Sequence, residues 1–304
     1  WGMDFYKDIN FQFQLYNQDN YLVEFLDGFS LWGSFPYNFG KNLSKNHSLD
    51  YSIQFYDRTA IDSLESPIFQ FPQSGKEGGL NFRYSYLSKR SHKRNMFLPN
   101  QGFGFEFISK IISSSIYGEF DYSKFEIDIF SNKKLGPFTL YGRSRYEVID
   151  GEFPNQEELG IFDIPNYYIA GSTVPGREYM SPRGYTTESY QIGNQAIMNT
   201  LELRAPIIPV SVFEALKVLK LEKPTIALIS DFGSAWKEKF NKNNIIATAG
   251  VEFRISMTLA NVPLFIFSYG WAQEYDQWQS KLKENNNDDI MPNPYFQMTL
   301  INPF

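Results

Sequence analysis

Apolar and polar residues alternate with a period of two along this chain from end to end. Phe5, Ile9, Phe11, Phe13 and Leu15 oppose Asp8, Asn10, Gln12 and Gln14. Tyr51, Ile53 and Phe55 oppose Asp50, Ser52 and Gln54, and Leu80, Phe82, Tyr84 and Tyr86 oppose Asn81, Arg83 and Ser85. Phe125, Ile127 and Ile129 oppose Lys124, Glu126 and Asp128, while Phe138, Leu140, Tyr146 and Val148 oppose Thr139, Tyr141, Arg143, Arg145 and Glu147. Successive side chains of a strand point to opposite sides, so each segment reads as a strand with one apolar and one polar face. About thirteen strands are predicted, at 4–15, 20–35, 47–57, 66–72, 78–90, 101–112, 118–131, 136–149, 194–206, 224–236, 245–259, 262–274 and 293–304. The segment 66–72 is the weakest of them. Most run for about 10 to 15 residues, near the length of a tilted membrane-crossing strand and longer than the usual globular one.

One stretch invites a different reading. Residues 255–272 carry no charge over 18 positions, the minimum for a transmembrane helix. Asn261-Val262-Pro263 interrupts them, and the alternation holds on both sides. Val251, Phe253, Ile255, Met257 and Leu259 share one face, and Gly250, Glu252, Arg254, Ser256 and Thr258 the other. A helix would separate Glu252 from Arg254, whereas a strand puts both together, in water. Two strands joined by a short turn are predicted.

Composition supports a sheet with one lipid face and one wet face. Aromatics make up 18% of the 304 residues, with 29 Phe and 20 Tyr, yet mean hydropathy is only -0.36. A helical membrane protein would be more hydrophobic, and a soluble sandwich would hide its apolar faces. The polar face is often charged with both signs, which suits a hydrated, ion-paired lumen. The net charge of -6 and the lack of any Lys/Arg run exclude a nucleic-acid stripe. With no Cys, disulfides and thiolate metal sites are excluded. His47 and His92 sit beside polar turns, and no catalytic constellation or metal-ligand spacing accompanies them. No cofactor is expected and no enzyme activity. Asp288-Asp289, in a polar Asn-rich stretch, reads more readily as exposed loop charge than as a calcium site. The chain starts at Trp1 without a visible signal peptide, so one domain over 1–304, the C-terminal part of a longer chain, is expected.

The long irregular region between 149 and 194 is rich in Pro, Gly and Tyr, and a stretch of that length is usually functional or disordered. Arg183-Gly184-Tyr185 lies within it. An Arg beside a Gly in such a segment suggests a loop tip that docks on an acidic partner. Glu202 and Asp231 are candidates, each on the polar face of a period-two segment. Any one of the three by itself is more often an ordinary surface charge.

The motif series resembles the barrel of the bacterial surface-antigen superfamily, whose members include the BamA and TamA insertases and the two-partner-secretion transporters. It runs Tyr168-Ile169-Ala170-Gly171-Ser172, Pro182-Arg183-Gly184-Tyr185, Gly193-Asn194 and Thr200-Leu201-Glu202-Leu203-Arg204-Ala205-Pro206. It continues with Ile229-Ser230-Asp231-Phe232-Gly233-Ser234-Ala235-Trp236 and Ala249-Gly250-Val251-Glu252-Phe253-Arg254, and ends at the terminal Phe304. Order and spacing agree over residues 78–304, and the series is more specific than any one motif. Asn95-Met96-Phe97-Leu98-Pro99-Asn100-Gln101-Gly102 is similar to a turn of the propeller-fused branch.

The resemblance implies a transmembrane antiparallel β-barrel of sixteen strands, about thirteen of them visible, with a long loop folded into the lumen. It implies that Arg183 at the loop tip is held by Glu202 and Asp231, with Gly184 and Tyr185 fitting the tip to the wall. A structural lock without contact to any substrate is an equally good reading of those residues. The last strand would form a weak seam with Phe296, Met298, Leu300 and Phe304 on its apolar face, while Pro303 cannot donate a backbone hydrogen bond. The expected setting is the bacterial outer membrane, with its lipid as one partner. The expected activity is assembly or insertion of other outer-membrane proteins through that seam. The alternatives are a protein-secretion transporter or a barrel anchor or channel for a fused or bound domain. Further expected partners are unfolded outer-membrane clients or a secreted passenger, with periplasmic domains or lipoproteins.

Overall fold

The computed structural model describes residues 1–13, 21–38, 46–61, 73–88, 101–161, 167–170, 182–185, 191–207, 211–215, 219–259, 262–276 and 293–300. The first half is a succession of long strands: β1 (Gly2–Phe13), β2 (Tyr21–Asn38), β3 (Asn46–Ile61), β4 (Gly75–Leu87), β5 (Gly102–Ile112), β6 (Asp121–Leu135) and β7 (Phe138–Glu152). Three short strands follow within the irregular region, β8 (Leu159–Ile161), β9 (Tyr167–Ala170) and β10 (Gln191–Gly193). The remainder comprises β11 (Gln195–Pro206), β12 (Ser211–Ala215), β13 (Leu219–Trp236), β14 (Ile246–Leu259), β15 (Val262–Glu274) and β16 (Asn293–Leu300).

The fold is all-β, and its architecture is that of an antiparallel barrel wall. One 14-stranded sheet runs β1-β2-β3-β4-β5-β6-β7-β11-β13-β14-β15-β16-β9, with β12 paired to β13 off this path. Sequence neighbours pair in antiparallel register, for example Glu202 with Ile229 and Glu252 with Gly270. Among the described residues the one parallel pairing is at the end of the path, where Tyr167–Ala170 of β9 lies along Phe296–Thr299 of β16. Among the described residues no strand covers the other edge of β1.

The two faces are inverted relative to a water-soluble protein. Large apolar side chains are exposed, among them Leu80, Phe125, Leu201, Leu228, Phe253 and Trp271 on six different strands. Glu77, Asp128, Glu202, Asp231, Glu252 and Arg254 on the opposite face are buried. A soluble monomer rarely leaves so extended an apolar surface uncovered, whereas a barrel in lipid requires it. No helix among the described residues is long and apolar enough to cross a membrane.

Some expectations hold and others are corrected in detail. The uncharged stretch 255–272 is two paired strands, β14 and β15, as the alternation predicts. Glu252 and Arg254 do share a face, but that face is not wet: they are 0% and 7% exposed. The predicted strand 224–236 begins earlier, at Leu219, and pairs there with β12, which the alternation did not reveal. Pro224 hides this continuity. The strand accommodates it through an irregularity between Glu222 and Thr225, with Lys223 at a positive φ of 53°. The region between 149 and 194 is not wholly irregular, since it holds β8, β9 and β10. His47 is no solvated loop residue. It lies in β3, its Nδ1 is 2.7 Å from the Tyr84 hydroxyl, and its ring packs 4.6 Å from that of Tyr86. The predicted strand 66–72, His92, the 95–100 part of the turn motif, Asp288-Asp289 and Phe304 lie outside the described residues.

Candidate functional site

Four rows of inward residues, set by strand register, build the floor of the site. One row reads Thr200, Asp231, Thr248 across β11, β13 and β14, and the next reads Glu202, Ile229, Gly250, Ala272 across β11 to β15. The third reads Arg204, Ala227, Glu252, Gly270, Tyr295 from β11 to the last strand, and the fourth sets Thr225, Arg254 and Ser268 side by side. In the third row long side chains alternate with Ala or Gly. Small neighbours leave room for the long ones to lie flat on the sheet and meet across strands. A hypothetical Cβ on Gly270 would stand 2.5 Å from the Tyr295 hydroxyl, so only glycine lets that ring cross β15.

Onto this floor comes the turn Pro182–Tyr185. The Tyr185 N–H donates to the Pro182 carbonyl at 3.2 Å, and Gly184 holds a positive φ of 76°. A turn with positive φ at its third residue is type II, which selects glycine. Space selects it again, because a Cβ there would be 2.5 Å from the backbone of Ala272. Pro182 is buried, and Tyr185, only 1% exposed, enters an apolar cluster with Ile112, Tyr122, Ile149, Leu159, Ile161, Ala196 and Ala235. The turn is thus gripped from β5 round to β15.

Arg183 supplies the polar half of the grip. Its Nε and Nη2 donate to the two oxygens of Asp231 at 2.7 and 2.8 Å, and its backbone N–H adds a third bond at 3.0 Å. Its Nη1 donates to Glu202 at 2.8 Å and to Glu252 at 3.3 Å. Arg254 forks onto Glu202 with bonds of 2.8 and 2.7 Å, and its Nε donates to Glu252. Arg204 donates to Glu202 at 2.6 Å and to Asn132 at 3.3 Å, with its guanidinium 4.0 Å from the Tyr141 ring centroid. The Tyr295 hydroxyl donates to Glu252 at 2.6 Å.

This network holds three guanidiniums, from Arg183, Arg204 and Arg254, and three carboxylates, from Glu202, Asp231 and Glu252. Planar forks suit such shared carboxylates, and charge-assisted bonds are strong where water is excluded. Among the described residues, every bond to the Asp231 carboxylate comes from Arg183. Burial works against the charged form of Arg183, but Asp231 and then Glu202 outweigh it and hold the guanidinium charged well above its ordinary range.

The structure therefore brings Arg183, Glu202 and Asp231 into one cluster, with Gly184 and Tyr185 beside them. Sequence reasoning missed Glu252, Arg254, Arg204 and Tyr295 as members. The signal for Glu252 and Arg254 was their shared face with Glu202 and Asp231; reading that face as wet removed them from consideration. Phe296 and Met298 lie apart from the cluster, on the opposite face to Tyr295, where Phe296 stacks 6.3 Å from Phe267. Leu300 pairs with Phe265 at the end of β16.

No family model matches the sequence, and no curated protein matches it. Among solved structures the chain is similar to CdiB from Escherichia coli, with a TM-score of 0.47 and 13% identity over 84% of this chain and 42% of that chain. It spans less than half of CdiB's length.

Proposed function

We propose that this chain is the wall of an outer-membrane transporter whose lumen is closed by the Arg183 turn, and that an unfolded polypeptide passes when the turn leaves. The observation that carries this reading is the pairing of an apolar exposed face with a buried charged face that holds a loop turn through five hydrogen bonds from Arg183. A chain segment lodged on the inner wall by ionic contacts is suited to reversible release. Its contacts are charge-assisted bonds that water can replace, unlike the strand pairing around it. Mixed charge on the wall supports a cargo of varied sequence over a selective ion, for which a ring of one sign is the usual device. The series of motifs resembling the surface-antigen barrels supports a polypeptide cargo in the same way. No covalent step belongs to this reading.

A second reading has its own observation. The outer edge of β16 accepts β9, a strand of the same chain, in parallel register. An edge that holds so short a strand is able to take a client strand in its place, which favours assembly of client barrels by strand addition at the seam.

The test is reconstitution of the full-length protein in liposomes and planar bilayers. Transport through the lumen predicts that Arg183→Ala conducts and that an unfolded polypeptide added on one side interrupts the current. Assembly at the seam predicts faster folding of an unfolded reporter barrel than with empty liposomes, whether or not Arg183 is present. A folded protein that does neither contradicts both.

A further inference from the structure

We propose that Glu157 is a second latch of the same loop, fastening residues 153–161 to the part of the wall formed by β3, β5 and β6. After Pro154 the chain makes a single 3-10 turn, Asn155–Glu157, closed by the Glu157 N–H donating to the Pro154 carbonyl at 2.8 Å. Asn155 is tied in turn to Gln73 by a bond of 3.1 Å from its backbone N–H. The turn aims Glu157 at cations from three strands. Arg58 of β3 donates to it at 3.1 Å, and the ammonium groups of Lys110 of β5 and Lys124 of β6 lie 3.8 Å away.

Those cations belong to a buried cluster of their own. Glu77 of β4, 0% exposed, pairs with Arg58 at 2.9 Å and Lys110 at 3.4 Å, and accepts from the hydroxyls of Tyr56 and Tyr122, the latter at 2.9 Å. Tyr122 also belongs to the apolar cluster that receives Tyr185, Leu159 and Ile161. The loop is consequently held at two ionic clusters on the wall, Glu157 on β3, β5 and β6 and Arg183 on β11, β13 and β14, with the apolar cluster beside them. It is also tied by the more exposed Glu158–Lys237 pair at 2.5 Å and by β9 along β16. An anion from the loop meets cations at one point, and a cation from the loop meets anions at the other. Release at Arg183 opens the lumen in part and its full clearing requires both points to open, so Glu157 sets how far the loop moves once Arg183 is free. This deepens the transport reading, yet the latch itself is testable without transport.

A cysteine-free form of the full-length protein carrying Leu159→Cys reports on the segment, since Leu159 is buried beside the latch. In bilayers, labelling by a membrane-impermeant maleimide is slow in this form. In an Arg183→Ala background, where the other anchor is absent, Glu157→Gln raises the labelling rate at least about tenfold, the scale of losing bonds to a charged group. Lys124→Gln, which removes one partner and keeps Arg58 and Lys110, gives a smaller rise. Heat-modified gel mobility establishes that each variant is folded. An unchanged rate in folded Glu157→Gln, Arg183→Ala protein overturns the proposal. A barrel that never conducts still gives the rise, so failure of the transport reading and failure of this one are separate outcomes.

Discussion

The hydroxyl of Tyr295, on the last strand, donates to Glu252 two strands away at 2.6 Å, and it reaches across Gly270. Because Glu252 also accepts from Arg183, the loop turn and the last strand share one carboxylate. Tyr295→Phe is predicted to destabilise the folded protein by about 1.5–3 kcal/mol, the range for a bond to a charged group. Amide exchange should accelerate in β16 and stay unchanged in β4 to β6. Gly270→Val should do more, because its Cβ displaces the ring. Heat-modified gel mobility with hydrogen exchange of the full-length protein checks both.

Among the described residues, Arg183→Ala removes the one cation that serves Asp231 and leaves three buried carboxylates facing two guanidiniums. Breaking a buried pair from one side costs about 3–5 kcal/mol. Arg183→Lys should recover little of this, since an ammonium cannot fork onto Asp231 while reaching Glu202. The melting midpoint of the gel-shift transition in the three proteins measures the difference.

Gly184→Ala should cost more than a positive φ normally does, which is of the order of 1–3 kcal/mol, because the methyl group also strikes the backbone of Ala272. Gly184 and Arg183 act through one turn, so the double variant should be less destabilised than the sum of the singles. A double-mutant cycle on unfolding free energies reads this coupling directly.

The outward face makes a prediction of its own. Leu228→Arg, at a position 56% exposed on β13, should destabilise the protein in bilayers by about 2–4 kcal/mol if it lies near the midplane. Ser115→Arg, in the exposed turn between β5 and β6, should change stability by less than about 0.5 kcal/mol. Equal tolerance of both substitutions in a lipid bilayer would place the apolar face against something other than lipid.

Much of the wall was legible because alternation is a local signal. Each side chain's face follows from its neighbour's, and Glu202 and Asp231 declared themselves by opposing Leu201, Leu203, Phe232 and Leu228. What was not legible depended on partners far along the chain. Whether Glu252 meets water or Arg183 is decided by where residue 183 returns, which no local pattern records. The reach of Tyr295 depends on glycine at position 270, one strand away and 25 residues earlier in sequence. Glu157 gave no periodic signal at all, because a single 3-10 turn has none. Pro224 misled in the opposite direction, hiding the start of β13 because the bulge at Lys223 is visible only once β12 and β14 are in place.

The most direct measurement is the single-channel current of the full-length protein in planar bilayers, wild type against Arg183→Ala and against Arg183→Ala with Glu157→Gln. A lumen closed by a two-point loop predicts a silent wild type, brief openings without Arg183, and long openings without both, interrupted when an unfolded polypeptide is added. A folded double variant that stays as silent as the wild type would contradict the account, because the loop would then not be what closes the lumen.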